Sequence, residues 1–255
     1  MAGNSASPGV SVTSRVLALL GAFDSAHRSL TLSQLAQRAG LPLATAHRLV
    51  AELVAWGALV RQPAGDYVIG RRLWDLGLLA PVQSGLRELA APFLQDLYGA
   101  TLDTVQLAIR DGDKALYLDR ISGHASVPVV SAVGARLPLH ATGVGKVLLA
   151  HAPEKVQADV LANLTRITPY TITQPERLRE QLRVVRREGF AVTTEEMSLG
   201  ACSVAVPILV RDGTVAGALG IVVARLSGER PSVLAALQVA AQGIGRSISG
   251  MPSAQ

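Results

Sequence analysis

The segment from Leu32 to Leu49 constrains the fold more than any other part of the sequence. Apolar residues recur at helical spacing before Gly40 and after Pro42, which predicts two helices separated by a turn of a few residues. Two helices that cross steeply need a small residue where their backbones meet and a turn residue that tolerates a positive φ. Ala36 and Gly40 stand at those two positions. The segment therefore predicts a compact corner of two helices.

The flanking sequence extends this corner into a winged helix-turn-helix. Residues 11–26 carry apolar side chains at helical spacing and predict a first helix, and the third helix is expected from Leu43 to about Trp56. Two short strands, at 58–62 and 67–69, surround a turn-rich connection and form the wing. The face of the third helix opposite its apolar residues is expected to enter a DNA major groove. The predicted DNA-binding residues are Leu43, Ala44, Thr45, His47 and Arg48, with Arg61 in the wing.

Charge supports DNA binding only modestly. Residues 1–75 hold 7 basic and 4 acidic side chains, whereas residues 76–255 hold 17 and 15. Of the 24 Lys and Arg residues only three are lysine, and arginine suits bidentate contacts with phosphate. A composition rich in arginine and poor in lysine also results from GC-rich coding DNA, so it does not by itself indicate phosphate binding. A winged helix that serves protein contacts only is the alternative interpretation.

Composition limits the class of protein. With 49% hydrophobic and 17% charged residues, the 255-residue chain is not disordered and can form one large or two modest domains. A single cysteine, Cys202, excludes an intramolecular disulfide and favours a cytoplasmic protein. The longest apolar runs, 203–210 and 215–224, fall short of the roughly 18 residues that span a bilayer, so no membrane partner is expected. The apolar stretch 16–23 is interpreted as a helix rather than a signal peptide, since Asp24 follows it directly.

The positions of turn-forming, Gly- and Pro-containing segments along the chain predict two domains. Residues 1–10 are expected to be a disordered tail, residues 11–70 the winged helix-turn-helix domain, residues 71–85 a linker helix and linker, and residues 86–250 the second domain. In the second domain two hairpins with Asp-Gly turns, near 104–122 and 204–224, flank helices at about 143–150, 153–162 and 175–188. The predicted fold class is α+β, with an antiparallel sheet flanked by helices in the second domain.

Several separated motifs make the chain resemble the IclR family of transcriptional regulators over nearly its whole length. In the first half the resemblance is carried by 32–42, 45–49, Trp56-Gly57 and 67–70; in the second half it is carried by 137–150, 187–190, Glu195-Glu196, Leu199-Gly200 and 203–207. The resemblance implies a GAF-like effector-binding domain that controls the winged helix. It also implies homodimers or homotetramers on palindromic operators in double-stranded DNA, without cofactors.

The segment 141–145 indicates the chemistry of the effector. It places small residues at the start of a helix, where free N–H groups and the helix dipole favour a carboxylate, so a small-molecule organic acid is expected. The family resemblance places the effector against Thr142, Gly143, Val144, Cys202, Ser203, Gly220 and Val222. Some members carry acidic residues where this chain has Thr193 and Thr194, and a Ser-x-Ser where it has 220–222. A less polar pocket, and therefore an aromatic or otherwise apolar carboxylate, is expected; whether Cys202 or Ser203 faces it stays open.

Other chemistries fit the sequence less well. A nucleotide P-loop would need glycine at His140 and Ser or Thr at Val147, so Lys146 is expected to cap or pair within the structure. Nothing near Cys202 activates it as a nucleophile, and the histidines lack metal-ligand spacing. We therefore expect no catalytic residue and no metal site. The alternative function is a small-molecule-binding protein or enzyme that uses its winged helix for assembly only.

Overall fold

The computed structural model describes residues 11–24, 26–78, 84–123, 127, 130–225 and 230–250. It divides into two compact units, residues 1–82 and 83–255, which are described separately. The predicted tail at 1–10 and residues 79–83 of the predicted linker lie outside the described residues. Within the described ranges, no helix combines the length and the apolar character that a membrane crossing requires.

The first unit packs helices against a small antiparallel sheet. In chain order its elements are α1 (Val12–Leu20), β1 (Ser29–Leu30), α2 (Leu32–Arg38), α3 (Leu43–Trp56), β2 (Leu59–Arg61), β3 (Tyr67–Ile69) and α4 (Arg71–Leu78). A capping box starts α2: the Thr31 hydroxyl accepts the Gln34 N–H, and the Gln34 side chain accepts the Thr31 N–H. Gly40, at φ +65°, makes the turn into α3. The predicted winged helix-turn-helix is thereby confirmed.

Two details of the first unit differ from the predictions. The first helix ends at Leu20 rather than near residue 26, because the chain turns at Gly21 and the Asp24 carboxylate then accepts the N–H groups of the next turn. A short strand, β1, follows that turn and was not predicted. Its two residues pair with Val68 and Tyr67 in β3, so the sheet has the order β1-β3-β2. Two residues are too few to show a strand periodicity.

The second unit is an antiparallel sheet covered by helices on both faces. Its elements are α5 (Ser84–Thr101), β4 (Thr104–Asp111), β5 (Lys114–Ile121), β6 (Arg136–Pro138), α6 (Gly143–Ala150), α7 (Glu154–Ala162), α8 (Pro175–Glu188), β7 (Ala191–Thr194), β8 (Cys202–Leu209), β9 (Val215–Val223) and α9 (Arg230–Ser249). The strand order is β6-β5-β4-β9-β8-β7, and neighbouring strands are antiparallel. The predicted α+β class and sheet architecture are confirmed.

Residue size decides which helix covers which face of the sheet. One face presents large aliphatic side chains to α5 and α9, among them Leu107, Val204 and Ile221. The other face presents Ala108, Ala205 and Ala218 to α6. The small side chains let α6 approach the strands closely, which sets the position of its N-terminus over the sheet.

Some predicted boundaries in the second unit are wrong. Helix α5 begins at Ser84, so the last two residues of the predicted linker are helical. Strand β8 begins at Cys202 rather than at 204, because the ladder with β7 continues to its first residue. The strands β6 and β7 were not predicted, since each is only a few residues long and no alternation can develop.

Candidate functional site

Helix α3 exposes one face and buries the other. Its buried residues are Ala46, Leu49, Val50 and Leu53. On the opposite side Leu43, Ala44, His47 and Arg48 are exposed, and Thr45 is half-buried. The structure therefore brings the predicted DNA-binding residues of this helix onto one accessible face.

Two arginines are accessible for phosphate or base contacts. The Arg48 side chain is 65% exposed, and its nearest carboxylate, Glu52 Oε1, lies 3.8 Å from its Nη1. An exposed pair at that distance holds the guanidinium weakly. Arg61 lies in the wing strand β2, with its guanidinium carbon 6.0 Å from the centroid of the Tyr67 ring. Both side chains can reorient toward an incoming phosphate.

The N-terminus of α3 also has the chemistry of a phosphate contact. Its N-cap is Pro42, which makes no side-chain capping hydrogen bond. The N–H groups of the first turn therefore lack a side-chain acceptor, and such groups favour an anion.

A small cavity, partly open to solvent, lies in the second unit beside the N-terminus of α6. Its lining residues are Gln106, Tyr117, Val130, Ser131, Leu137, Thr142, Gly143, Thr193, Met197, Ser198, Ala201, Cys202, Ser203 and Val222. Each of these residues has either an apolar side chain or an uncharged polar one. A ligand can therefore form hydrogen bonds with the wall and interact with the helix terminus, but it meets no charged side chain among the lining residues.

Five of the seven predicted effector residues border this cavity, and two do not. Thr142, Gly143, Cys202, Ser203 and Val222 are among its lining residues. Val144 and Gly220 instead touch each other: a Cβ added to Gly220 would lie 2.9 Å from Val144 Cγ1. These two residues form the close contact between α6 and β9 next to the cavity.

The alternation of side chains between the two faces of β8 determines how Cys202 and Ser203 are oriented. Val204 packs on the face covered by α5 and α9, whereas Ala205 packs under α6. Ser203 shares the face of Ala205, and its Oγ lies 2.6 Å from Thr193 Oγ1. The Ser203 side chain therefore faces the cavity, and the buried Cys202 borders it from the start of the strand.

The first turn of α6 offers hydrogen-bond donors to this space. Thr142 Oγ1 accepts the Gly145 N–H at 3.1 Å and donates to the Pro138 carbonyl at 3.2 Å. The N–H groups of Gly143 and Val144 have no acceptor within the helix. A Cβ at Gly143 would overlap Ser203 Oγ, so glycine allows this approach to the strand without displacing the Ser203 hydroxyl.

Tyr117 contributes a neutral hydroxyl to the cavity wall. Burial raises the pKa of Tyr117 to about 12, although a hydrogen bond with Thr142 acts in the opposite direction. The phenol is therefore protonated at neutral pH and can donate a hydrogen bond.

A polar cluster supports the loop at 195–201, which forms one wall of the cavity. Lys146 Nζ donates to Glu196 Oε1 at 2.6 Å and to Gln181 Oε1 at 2.7 Å, in agreement with the expectation that Lys146 pairs within the structure. Thr168 and Thr171 donate to the carbonyl oxygens of Glu195 and Glu196, each at 2.7 Å. The loop is thus fixed to α6, to α8 and to the segment that precedes α8.

Several cavity residues were missed by the sequence analysis. Gln106 and Tyr117 come from β4 and β5, Ser131 from the connection after β5, and Met197 and Ser198 from the loop after β7. No local motif marks them, because the sheet brings together residues that are distant in sequence. The described part of the chain contains no group of three or more His, Cys, Asp or Glu placed to hold a metal ion.

Comparison with known proteins agrees with this arrangement. Residues 12–63 match the IclR helix-turn-helix domain, and residues 80–246 match the domain described as bacterial transcriptional regulator IclR C-terminal. The HTH-type transcriptional regulator KipR of Bacillus subtilis is 32% identical over 195 residues, which are 76% of this chain and 78% of the relative. XynR of Escherichia coli is 31% identical over 217 residues, 84% of this chain and 86% of the relative.

Solved structures extend the likeness to both units. An IclR homolog from Microbacterium hydrocarbonoxydans, complexed with 4-hydroxybenzoate, is 35% identical with a TM-score of 0.90, covering 94% of this chain and 100% of that chain. The Thermotoga maritima IclR is 27% identical with a TM-score of 0.76, and the match covers 93% of this chain and 98% of that chain. The chain therefore belongs to the IclR family of bacterial transcriptional regulators and carries both the helix-turn-helix and the effector-binding domain of that family.

Proposed function

We propose that this regulator binds operator DNA with an affinity set by an organic acid, and that the effector is an aromatic carboxylate of the 4-hydroxybenzoate class. The observation that carries the proposal is the position of the first turn of α6. The N–H groups of this turn have no acceptor within the helix, and Gly143, its first residue, borders a cavity with neutral walls. A carboxylate at that helix terminus would gain both hydrogen bonds and the favourable end of the helix dipole.

The rest of the cavity suits an aromatic ring. Val130, Leu137, Met197 and Val222 give it apolar surface. The hydroxyls of Thr193 and Ser203, already bonded to each other, provide a polar edge. A cavity lined mainly by apolar groups with a few convergent polar atoms is typical of small-molecule sites. The 4-hydroxybenzoate in the similar Microbacterium structure supports the same class of ligand.

On the DNA side, we assign base and phosphate contacts to the exposed face of α3 and to the wing. Arg48 and Arg61 are exposed cations, and Leu43, Ala44, Thr45 and His47 share the face of Arg48. We further propose that homodimers or homotetramers place two such helices on a palindromic operator, with half-sites about one helical turn or a multiple of it apart. The working domains are residues 11–70 and 86–250, and the site of action is the cytoplasm.

No enzymatic role is proposed. The relatives are named transcriptional regulators, and the hydrogen bonds of the cavity give no described nucleophile a base. The alternative, in which the winged helix serves assembly only, predicts no preference for any DNA sequence.

Fluorescence anisotropy of the full-length protein tests the proposal. The labelled duplexes are the DNA upstream of its own gene and a scrambled duplex, at about 150 mM salt so that phosphate-only binding is suppressed. We expect a preference of about a thousandfold for the upstream DNA. Equal, weak binding to both duplexes that persists across genomic fragments and added carboxylates would favour the assembly-only alternative.

A further inference from the structure

The cavity beside α6 is smaller than the ligands that its lining favours. Its volume is about 40 Å³, whereas a benzene ring occupies a cavity of about 150 Å³. Protein interiors are close-packed and do not yield by compression, so the cavity can enclose an aromatic ring only if part of its wall moves. The contacts that hold each wall therefore indicate where the ring gains its space.

The sheet wall of the cavity is fixed. Thr193, Ser203 and Val222 lie side by side in one row across β7, β8 and β9, and backbone pairing joins each strand to the next. Leu137 pairs with Ala115 on β5 and packs against the core beneath α6. Displacing any of these residues would break the ladder of the sheet.

Helix α6 and the connection after β5 are held as well. The close contact of α6 with Gly220 leaves no space for even a methyl group between the helix and β9. The connection is fixed at Ser131, which accepts hydrogen bonds from Gln106 at its hydroxyl and from Arg120 at its carbonyl. The neighbouring Val130 is 56% exposed, so moving its side chain adds little enclosed space.

The Met197–Gly200 segment is the part of the wall that lacks such contacts. Among the described residues, its hydrogen bonds stay within the loop to which it belongs. The Gly200 N–H donates to Glu195 Oε1 at 2.6 Å, and the Ala201 N–H donates to the Ser198 carbonyl at 3.3 Å. The segment is thus tied to the two ends of its own loop and not to the helices or to the rest of the sheet.

The bonds that anchor this loop stop just before the segment. Thr171 donates to the Glu196 carbonyl, and no described hydrogen bond of this kind holds the four residues that follow. Leu199, within the segment, is 63% exposed, so few contacts oppose an outward shift. Met197 and Ser198 line the cavity, and Met197 is the larger of the two. An outward shift of the segment therefore enlarges the cavity mainly by withdrawing Met197.

We propose that Met197 determines the size of the ring that the cavity admits, by moving outward with the Met197–Gly200 segment when an aromatic acid binds. Methionine is unbranched and has three rotatable bonds and a polarisable sulfur, so it can withdraw and still contact the ring. A second fused ring needs more space than this one side chain vacates. The inference rests on the proposed function, in which the carboxylate binds at α6, and adds the residue that limits the size of the effector.

Calorimetric titration of the full-length protein with 4-hydroxybenzoate and 6-hydroxy-2-naphthoate tests this inference. The two acids carry the same polar groups and differ by one fused ring. The variants are Met197→Ala and, as a control on the same segment, Leu199→Ala, whose side chain is not among the lining residues. We expect the wild type and Leu199→Ala to bind the smaller acid at least about tenfold more tightly. In Met197→Ala this ratio falls to about one, because the space is present before the ligand binds.

The other outcomes separate this inference from the proposed function. If the wild type binds both acids equally, or if Met197→Ala keeps the wild-type ratio, Met197 does not limit the ring size and the inference is wrong. The same holds if Leu199→Ala changes the ratio as much as Met197→Ala. In each of these cases 4-hydroxybenzoate binds, so the proposed effector class stands. If 4-hydroxybenzoate does not bind the wild type, the effector class fails and this inference fails with it. If Met197→Ala does not fold, Met197→Val, which also shortens the side chain, takes its place.

Discussion

Lys146 Nζ lies 2.6 Å from Glu196 Oε1, and both side chains are almost completely buried, at 1% and 7% exposure. The pair joins the effector helix α6 to the loop that forms one wall of the cavity. Burial lowers the pKa of Lys146, and the Glu196 carboxylate opposes that shift. Glu196 Oε2 has no partner in the described structure, so the carboxylate depends on this lysine.

Replacing Lys146 alone should therefore destabilise the effector domain. In Lys146→Met the Glu196 carboxylate stays buried without a counter-charge, and we expect a loss of about 3–5 kcal/mol in the free energy of unfolding. Urea denaturation followed by circular dichroism measures it. The double variant Lys146→Met/Glu196→Leu should recover most of the loss. A loss below about 1 kcal/mol in the single variant would show that water solvates the pair.

Gly143→Ala should weaken effector binding. A Cβ at this position would overlap Ser203 Oγ, so the substitution must either turn the Ser203 hydroxyl away from Thr193 or push α6 away from β8, and both changes alter the polar edge of the cavity. We expect effector affinity, measured by calorimetry, to fall by at least about tenfold. Gly99→Ala is the control, since that helical glycine has open space around it. Equal effector affinities of the two variants would contradict the assignment of the α6 N-terminus as the place where the carboxylate binds.

His140 should make the protein less stable in acid. Burial lowers the pKa of His140 below 6.5, although its Nε2 donates to the Thr165 carbonyl at 2.9 Å. The unfolded histidine binds a proton more readily, so the free energy of unfolding falls as the pH drops below about 6.5. Urea midpoints at about pH 7.5 and about pH 5.5 measure the change. The urea midpoint of His140→Asn should fall less between the two pH values than that of the wild type. An equal fall would mean that other groups cause the acid destabilisation.

Arg48 should contribute to DNA binding and not to folding. Its side chain is 65% exposed and only weakly paired, so Arg48→Ala should leave the melting temperature unchanged. We expect a loss of about 1–3 kcal/mol in binding to the preferred DNA, measured by anisotropy. Arg187→Ala is a matched control, because Arg187 is 67% exposed and also lies beside a glutamate. The same loss in both variants would indicate a general charge effect.

Local patterns explain what the sequence could predict. The helix-turn-helix follows from residues within about one turn of each other, such as Ala36 in the packed face and Gly40, whose φ is +65°. The α6 terminus is equally local, since Thr142 caps the Gly145 N–H three residues later. Those elements were predicted correctly because their physical causes lie in adjacent residues.

The remaining features depend on the sheet. Lys146 and Glu196 are 50 residues apart, and Gln106 meets Ser131 across the connection after β5. No periodicity in the sequence predicts such pairs, because the strand order that brings the two residues together depends on segments that are far apart in the chain. Gly220 was predicted to line the pocket, but the register of β9 places it under Val144 instead.

The measurement that tests the central claim most directly is the effect of the effector on DNA affinity. Anisotropy titrations of the wild type and Gly143→Ala on the preferred duplex are run with and without saturating 4-hydroxybenzoate. We predict that the acid changes the wild-type Kd by about fivefold or more, in either direction, and leaves that of Gly143→Ala nearly unchanged. An unchanged wild-type Kd, with calorimetry showing the cavity occupied, would contradict the claim that this cavity controls DNA binding.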